Sequence, residues 1–316
     1  GGEICDWCDY LVVHDNRASQ EKCGASVRVE FPTLQTLMPL VADAAKHVSI
    51  PFAGDTLVVP GIATADWWDG VTQGSWEPST WRTFNQEVPS EGTYVGFGEW
   101  CGVTGLFGMK RAAKTILMEP DRFIFDELMT NVRLNVEKDS SRKVYVDPRC
   151  ISDTTKTVTM QANGGSGSSI ILQESRKSSS KEIEANCVQL EQVLRDYGVV
   201  KSEKVFLKID TEGAESSILP SLTALIKQFD TKPTVLVSMH ATGTDSQRQQ
   251  MADFLNMYPY YVIFPGRQGE GRVSNRDGMD DGQCEEGVVL FENDGSRFDG
   301  GEICDWCDYL VVHDNR

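Results

Sequence analysis

The sequence runs to 316 residues, 40% hydrophobic and 24% charged, the make-up of a globular chain with a sizeable core. A net charge of −17 repels phosphate backbones and anionic lipid, which excludes nucleic acid and membrane as primary partners. No run approaches the ~18 apolar residues of a membrane span and no signal-peptide pattern is visible, so the expected location is cytoplasmic.

The ends of the chain repeat each other. Gly1–Arg17, GGEICDWCDYLVVHDNR, recurs residue for residue as Gly300–Arg316. Such identity reads as a gene closed on itself and read past its origin, or as one period of a tandem array with a neighbouring identical module. Two copies compete for one docking place, so at most one is expected to pack natively, with exchange between molecules as the other outcome. Each copy carries a Cys-x-x-Cys pair, Cys5/Cys8 and Cys304/Cys307. Four thiolates suit structural zinc, but the second pair only duplicates the first, and no metal is expected. The nine cysteines are dispersed, which predicts reduced thiols and no disulfide framework.

Leu34–Val48 has helical spacing, bent at Pro39. Asp55–Val59 reads as a short strand. Ala65–Phe84 is irregular and rich in tryptophan (Trp67, Trp68, Trp76, Trp81), either a lid over substrate or a staple holding the N-terminal arm to the sheet. From Thr93 strands alternate with helices, the pattern of a parallel sheet covered on both faces. Strands are predicted at Thr93–Phe97, Thr115–Glu119, Lys143–Val146, Lys204–Asp210 and Thr234–Met239, with an antiparallel end at Tyr260–Phe264 and Gly287–Phe291. Helices are predicted near Val103–Ala113, Arg122–Glu137, Val188–Tyr197, Ala214–Phe229 and Ser246–Met257. Thr154–Asn186 breaks the rhythm: Thr157–Met160 and Ser169–Gln173 suggest a hairpin about Asn163–Gly167, and Ser175–Ser180 a loop. The division expected is an arm and lid over 1–85, a cofactor-binding domain over 86–295, and a tail over 296–316.

Chemistry concentrates where strands end. Gly96, Gly98 and Gly102 follow the first strand and open a helix, so backbone can approach a nucleotide beside free N–H groups. Glu119, ending the next strand, suits the two hydroxyls of a ribose. A dinucleotide and S-adenosylmethionine fit this arrangement equally. The apolar run Val205–Ile209 ends at Asp210, and Thr211-Glu212-Gly213 turns into a helix, which sets Asp210 and Glu212 at the cleft. Taken alone, Asp210 reads as well as a cap of the helix that follows.

In the order Trp76-Glu77-Pro78, Gly98-Glu99-Trp100-Cys101-Gly102, Glu119-Pro120-Asp121 with Leu128 and Asn131, Cys150-Ile151-Ser152-Asp153, Leu207–Glu215 and Ser238-Met239-His240, the sequence resembles the FkbM family of S-adenosylmethionine-dependent methyltransferases over roughly 76–291. The LKIDTEGAE block is the most specific of these. The resemblance implies a doubly wound, mostly parallel Rossmann-like α/β sheet with an antiparallel last strand. It implies S-adenosylmethionine held by Gly96, Gly98, Glu99, Gly102, Glu119, Ser152, Asp153 and Asp210, and catalysis by Asp210, Glu212 and His240. The implied reaction is O-methylation of a hydroxyl on a small molecule or glycan, such as a sugar or secondary metabolite. Two positions depart from the pattern. Gly96 stands where the family has an acid that helps to hold the cofactor's ammonium, a charge Glu99 is placed to replace. Ser238 stands where the family has glutamate.

Methyl transfer to oxygen needs in-line positioning and a proton acceptor. His240 suits the acceptor because its ordinary pKa lies near neutrality, although a capping or core histidine is the plain alternative. Asp210 then orients cofactor or acceptor, and Glu212 braces the turn. Two other classes stay open: an NAD(P)-dependent oxidoreductase, which leaves the Asp-x-Glu-Gly block without a purpose, and a non-catalytic Rossmann-like binding module from a tandem array.

Overall fold

The computed structural model describes residues 11–13, 45–50, 55–60, 65–74, 76–136, 141–169, 181–240, 244–258, 260–264, 289–292 and 307–312. Its centre is a nine-stranded sheet. Five parallel strands form the middle: β4 (Thr93–Phe97), β5 (Lys114–Met118), β6 (Lys143–Asp147), β10 (Val205–Ile209) and β11 (Thr234–Met239). They stand in the order β6-β5-β4-β10-β11, so the winding reverses between β4 and β10. That reversal opens a crevice at the carboxyl ends of the strands.

Alternation along each strand explains the two layers. Val95, Leu207, Val235 and Val237 face one core, which α5 (Leu190–Asp196), α6 (Glu215–Ile226) and α7 (Asp245–Leu255) cover. Tyr94, Phe206 and Leu236 face the other, under α3 (Val103–Arg111) and α4 (Arg122–Asn135). The caps match the sequence. Asp121 accepts from Phe123 N to start α4, and Thr244 with Gln247 forms a capping box at α7.

The tryptophan-rich stretch is helical. It forms α1 (Ala65–Thr72) and α2 (Pro78–Glu87), with Pro78 at the first turn. Trp68 and Trp81 are fully buried, and Trp81 and Phe84 stack edge-on with Phe107 against the second core. The staple reading therefore holds for these two. The predicted helix over Leu34–Val48 is overturned at its end: Ala45–Ile50 is strand β2, paired antiparallel with β3 (Asp55–Pro60), and residues 34–44 lie outside those described. Val48, Leu57 and Val59 bury one face of this hairpin, a period of two rather than 3.6. Asn135 side-chain atoms bond both Val58 N and Val58 O and tie the hairpin to α4.

The stretch after β6 differs most from expectation. β8 (Lys156–Ala162) pairs antiparallel with β9 (Lys181–Val188), a pairing beyond the expected one with a strand at Ser169–Gln173. Of that second strand only an isolated bridge, Gln161 to Ser169, is present among the described residues; 170–180, with the Ser175–Ser180 loop, lie outside them. Cys150 in the short β7 (Cys150–Ile151) is the register partner of Cys187 in β9, and a disulfide joins them. The expectation of reduced thiols is corrected here: adjacent parallel strands bring the two sulfurs together across 37 residues of sequence, a proximity that spacing alone does not reveal.

Both copies of the terminal repeat enter the sheet. Leu11–Val13 (β1) pairs parallel with β6 at one edge. Cys307–Val312 (β14) lies antiparallel between β11 and β12 (Tyr260–Phe264), with β13 (Val289–Glu292) antiparallel beyond. The copies do not compete, because the sheet offers two different places. The expected antiparallel end is present, but β12 runs with the central strands and β14 intervenes. Cys5, Cys8 and Cys304 lie outside the described residues. No helix among those described is long and apolar enough to cross a membrane.

Candidate active site

A cavity of about 190 Å³ opens at the winding reversal, above the carboxyl ends of β4, β5, β10 and β11. Three non-glycine residues among those described have positive φ: Glu77 (39°), Trp100 (50°) and Glu212 (54°). All three line this cavity. Such backbone costs of order 1 kcal/mol or more per residue and gathers where function requires it.

The glycine loop forms one wall. Gly98 has φ 77°, and a Cβ there would stand 1.7 Å from the Asp210 carbonyl oxygen, so only glycine lets β4 approach β10 this closely. Gly96 answers to a side chain instead: a Cβ there would fall 1.6 Å from Glu99 Oε1. The Glu99 carboxylate thus fills the space over Gly96. It is buried, accepts from Tyr94 Oη (2.7 Å) and Thr104 Oγ1 (3.2 Å), and lines the cavity. Burial pushes its pKa up, against the pull of the Lys208 charge. Gly102 begins α3 and stands behind the wall.

Glu119 lines the cavity with its oxygens engaged. Oε2 accepts from Trp100 N and Oε1 from Asp121 N, each at 2.7 Å, which locks the glycine loop to the end of β5. Burial raises its pKa to about 7 despite those donors. A carboxyl whose folded pKa lies above its unfolded value gives stability that is complete below about 4.5 and lost as pH rises through about 7. Glu119→Gln leaves one of the two N–H groups without its acceptor, at a cost of about 1–3 kcal/mol. In urea titrations the wild type is expected to lead this variant most at pH 5, with the lead narrowing toward pH 8. A constant lead would show that Glu119 does not titrate in this range.

Asp121 holds the opposite wall. Its Oδ2 accepts from Gly164 N (2.8 Å) and Ser168 Oγ (2.5 Å), Trp100 Nε1 donates to Gly164 O, and Ser169 Oγ donates to Glu212 O. These bonds bring Gly165, Ser166 and Ser168 to the cavity. Ser152 and Asp153 do not line it. The Ser152 hydroxyl turns to Thr154 O, and Asp153 is solvent-exposed beside Lys156, whereas Arg149, Cys150 and Ile151 do face the cavity.

At the floor Asp210, Glu212 and His240 converge. His240 Nε2 is 3.5 Å from Asp210 Oδ1 and 3.6 Å from Glu212 Oε1, and its Nδ1 is 3.1 Å from Glu215 Oε1. Asp210 does not cap α6: that helix starts at Glu215, and Asp210 Oδ2 pairs instead with buried Lys208 at 2.9 Å. Burial would raise the Asp210 pKa, but the Lys208 and His240 charges hold it below the usual carboxylate range. Burial would lower that of His240, yet Glu215, Asp210 and Glu212 outweigh it and lift the imidazole to about 10. The ordinary value that recommended His240 as a proton acceptor is therefore not its value here.

Glu215 and Lys208 belong to the LKIDTEGAE block, but no role was assigned to either from sequence. Glu215 is fully buried and accepts from Thr211 N, Thr211 Oγ1 and Gly213 N while facing His240, so it organises the whole turn. A lysine inside an otherwise apolar strand was the available signal for Lys208. Trp67, Trp76 and Trp100 complete the rim, with Trp67 edge-on to Trp100 at 4.9 Å.

The family model described as "Methyltransferase FkbM domain" matches residues 91–261, more than half of the chain. No curated protein matches. Among solved structures the chain is similar to a methyltransferase FkbM from Methylobacillus flagellatus KT, at 14% identity and TM-score 0.39, covering 71% of this chain and 44% of that one. It is similar also to a SAM-dependent O-methyltransferase from Thermotoga maritima (9%, TM-score 0.34, 76% and 66% covered). A third is a precorrin-6y C5,15-methyltransferase from Geobacter metallireducens GS-15 (8%, TM-score 0.34, 73% and 84% covered). The chain thus spans less than half the length of the first of these structures.

Proposed function

Since the chain belongs to the FkbM methyltransferase family, we propose that it moves the methyl group of S-adenosylmethionine to a hydroxyl oxygen of a small molecule or glycan. The observation that carries this reading is the exchange of Gly96 for Glu99. The carboxylate that the family places on the strand is supplied from the loop, in the space a side chain at 96 would need. Glu99 would hold the cofactor's ammonium and Glu119 its ribose, with Gly98 letting the backbone approach. Cys150 and Ile151 contribute an apolar wall. The cofactor would supply the methyl group, and the Asp210–Glu212–His240 group would orient the acceptor hydroxyl and receive its proton. The tryptophan rim offers flat apolar faces to the acceptor.

Calorimetry of the purified chain with S-adenosylmethionine, its demethylated product and NAD⁺ tests the reading. Binding of the first two and not the third is expected, and the reverse order would establish the oxidoreductase alternative. Glu99→Gln removes the charge with little change in shape. It is expected to weaken S-adenosylmethionine by about tenfold or more, the value of one charge-assisted hydrogen bond. Unchanged affinity would remove Glu99 from the cofactor site.

A further inference from the structure

The three side chains on the floor of the cavity are spaced for a cation. We propose that Asp210 Oδ1, Glu212 Oε1 and His240 Nε2 form a binding site for one divalent transition-metal ion. Its use in catalysis rests on the methyltransferase reading; its existence does not.

The spacing is the first argument. The ligand atoms of all three lie within 4.8 Å of one another. His240 Nε2 stands 3.5 Å and 3.6 Å from the two carboxylate oxygens, longer than the ~2.7–3.2 Å of N–H···O hydrogen bonds. Ligands held ~2.0–2.2 Å from one ion lie roughly 3.0–3.5 Å apart in tetrahedral or octahedral geometry, so small adjustments close the set around an ion.

Orientation of the histidine is the second and independent argument. Its Nδ1–H donates to Glu215 Oε1 at 3.1 Å, and Glu215 is fully buried and fixed by Thr211 N and Gly213 N. A histidine tethered to a carboxylate through one ring nitrogen presents the lone pair of the other, the arrangement that orients imidazole toward metals. Here Nε2 is the nitrogen turned toward Asp210 and Glu212, and an ion bound there takes the place of the proton that these carboxylates hold on the ring. Lys208 takes Oδ2 of Asp210 and leaves Oδ1 to the ion. One imidazole with two carboxylates and open positions suits Mn²⁺, Fe²⁺ or Zn²⁺ better than the all-oxygen preference of Ca²⁺.

At such an ion the acceptor hydroxyl takes an open position and its pKa falls. The proton leaves along the Asp210–Glu212–His240 group to solvent water. An oxygen electron pair forms the new O–CH₃ bond, and the S–CH₃ bond breaks onto sulfur, which departs as a neutral thioether. No oxidant or reductant is consumed.

The test is Mn²⁺ binding, followed by electron paramagnetic resonance on EDTA-stripped, tag-free protein without S-adenosylmethionine. One saturable site per chain is expected, weakened at least tenfold in both Glu212→Gln and His240→Gln, with circular dichroism confirming that each variant folds. No saturable binding up to millimolar Mn²⁺, or binding that both folded variants retain, overturns the proposal. Mn²⁺ binding without S-adenosylmethionine binding would leave the site standing and remove the methyltransferase reading; the converse would do the opposite.

Discussion

Asp210→Asn is expected to lower methyl transfer by about two to four orders of magnitude, the range lost when a group that handles the transferred proton is removed. The substitution is nearly isosteric, so the effect is electrostatic. Asp210 sits where β10 ends, one oxygen on the Lys208 ammonium and the other facing His240. Asparagine keeps the shape and cancels the charge that both cations answer. Lys208 is 5% exposed, and stranding a buried cation costs up to about 3–5 kcal/mol; Glu99 nearby reduces that cost. Activity must therefore be read under single-turnover conditions at a temperature where circular dichroism shows the variant folded. A loss under tenfold in folded protein would remove Asp210 from the reaction.

Gly98→Ala is expected to remove about 4 kcal/mol or more of stability, a size reserved for a short set of mechanisms. Two of them coincide here. An L-residue in the left-handed region costs about 1–2 kcal/mol by itself. The added methyl would also fall 1.7 Å from a backbone oxygen, that of Asp210, which no rotamer change can relieve. Relief requires β4 and β10 to part where Asp210 N bonds Phe97 O, and Gly98 N is held on the other side by Met118 O of β5. Urea unfolding provides the measurement, and a midpoint like that of wild type would mean the loop can shift without cost. A surviving fold would still be expected to lose S-adenosylmethionine affinity, since the loop's approach to the cofactor moves with it.

The central strands were legible because each is a short apolar run closed by a turn signal, as at Thr93–Phe97 and Val205–Ile209. Asp210, Glu212 and His240 followed, since a residue just past a parallel strand must lie at the open edge of the sheet. What stayed hidden depended on partners far away in sequence. Ile183, Ala185 and Cys187 alternate inward along β9, but the polar residues between them matched a loop equally well. Glu215 closed the LKIDTEGAE block without a role of its own, and only the fold turns it back beneath Gly213. The tryptophans of 65–84 show no regular period because they are divided between two helices, α1 and α2, and the turn that joins them. His240 was assigned its ordinary pKa because its carboxylate neighbours come from another strand end and another helix.

The tripeptide Leu-Val-Val is read twice by this molecule, once as a parallel rim strand at residues 11–13 and once as an antiparallel interior strand at 310–312. Six strand spacings separate the two places in the sheet, roughly 29 Å. An antibody or strand-mimicking peptide raised against that word would therefore meet two epitopes of unequal access on every copy. It would engage the rim first and count each molecule as fewer than two.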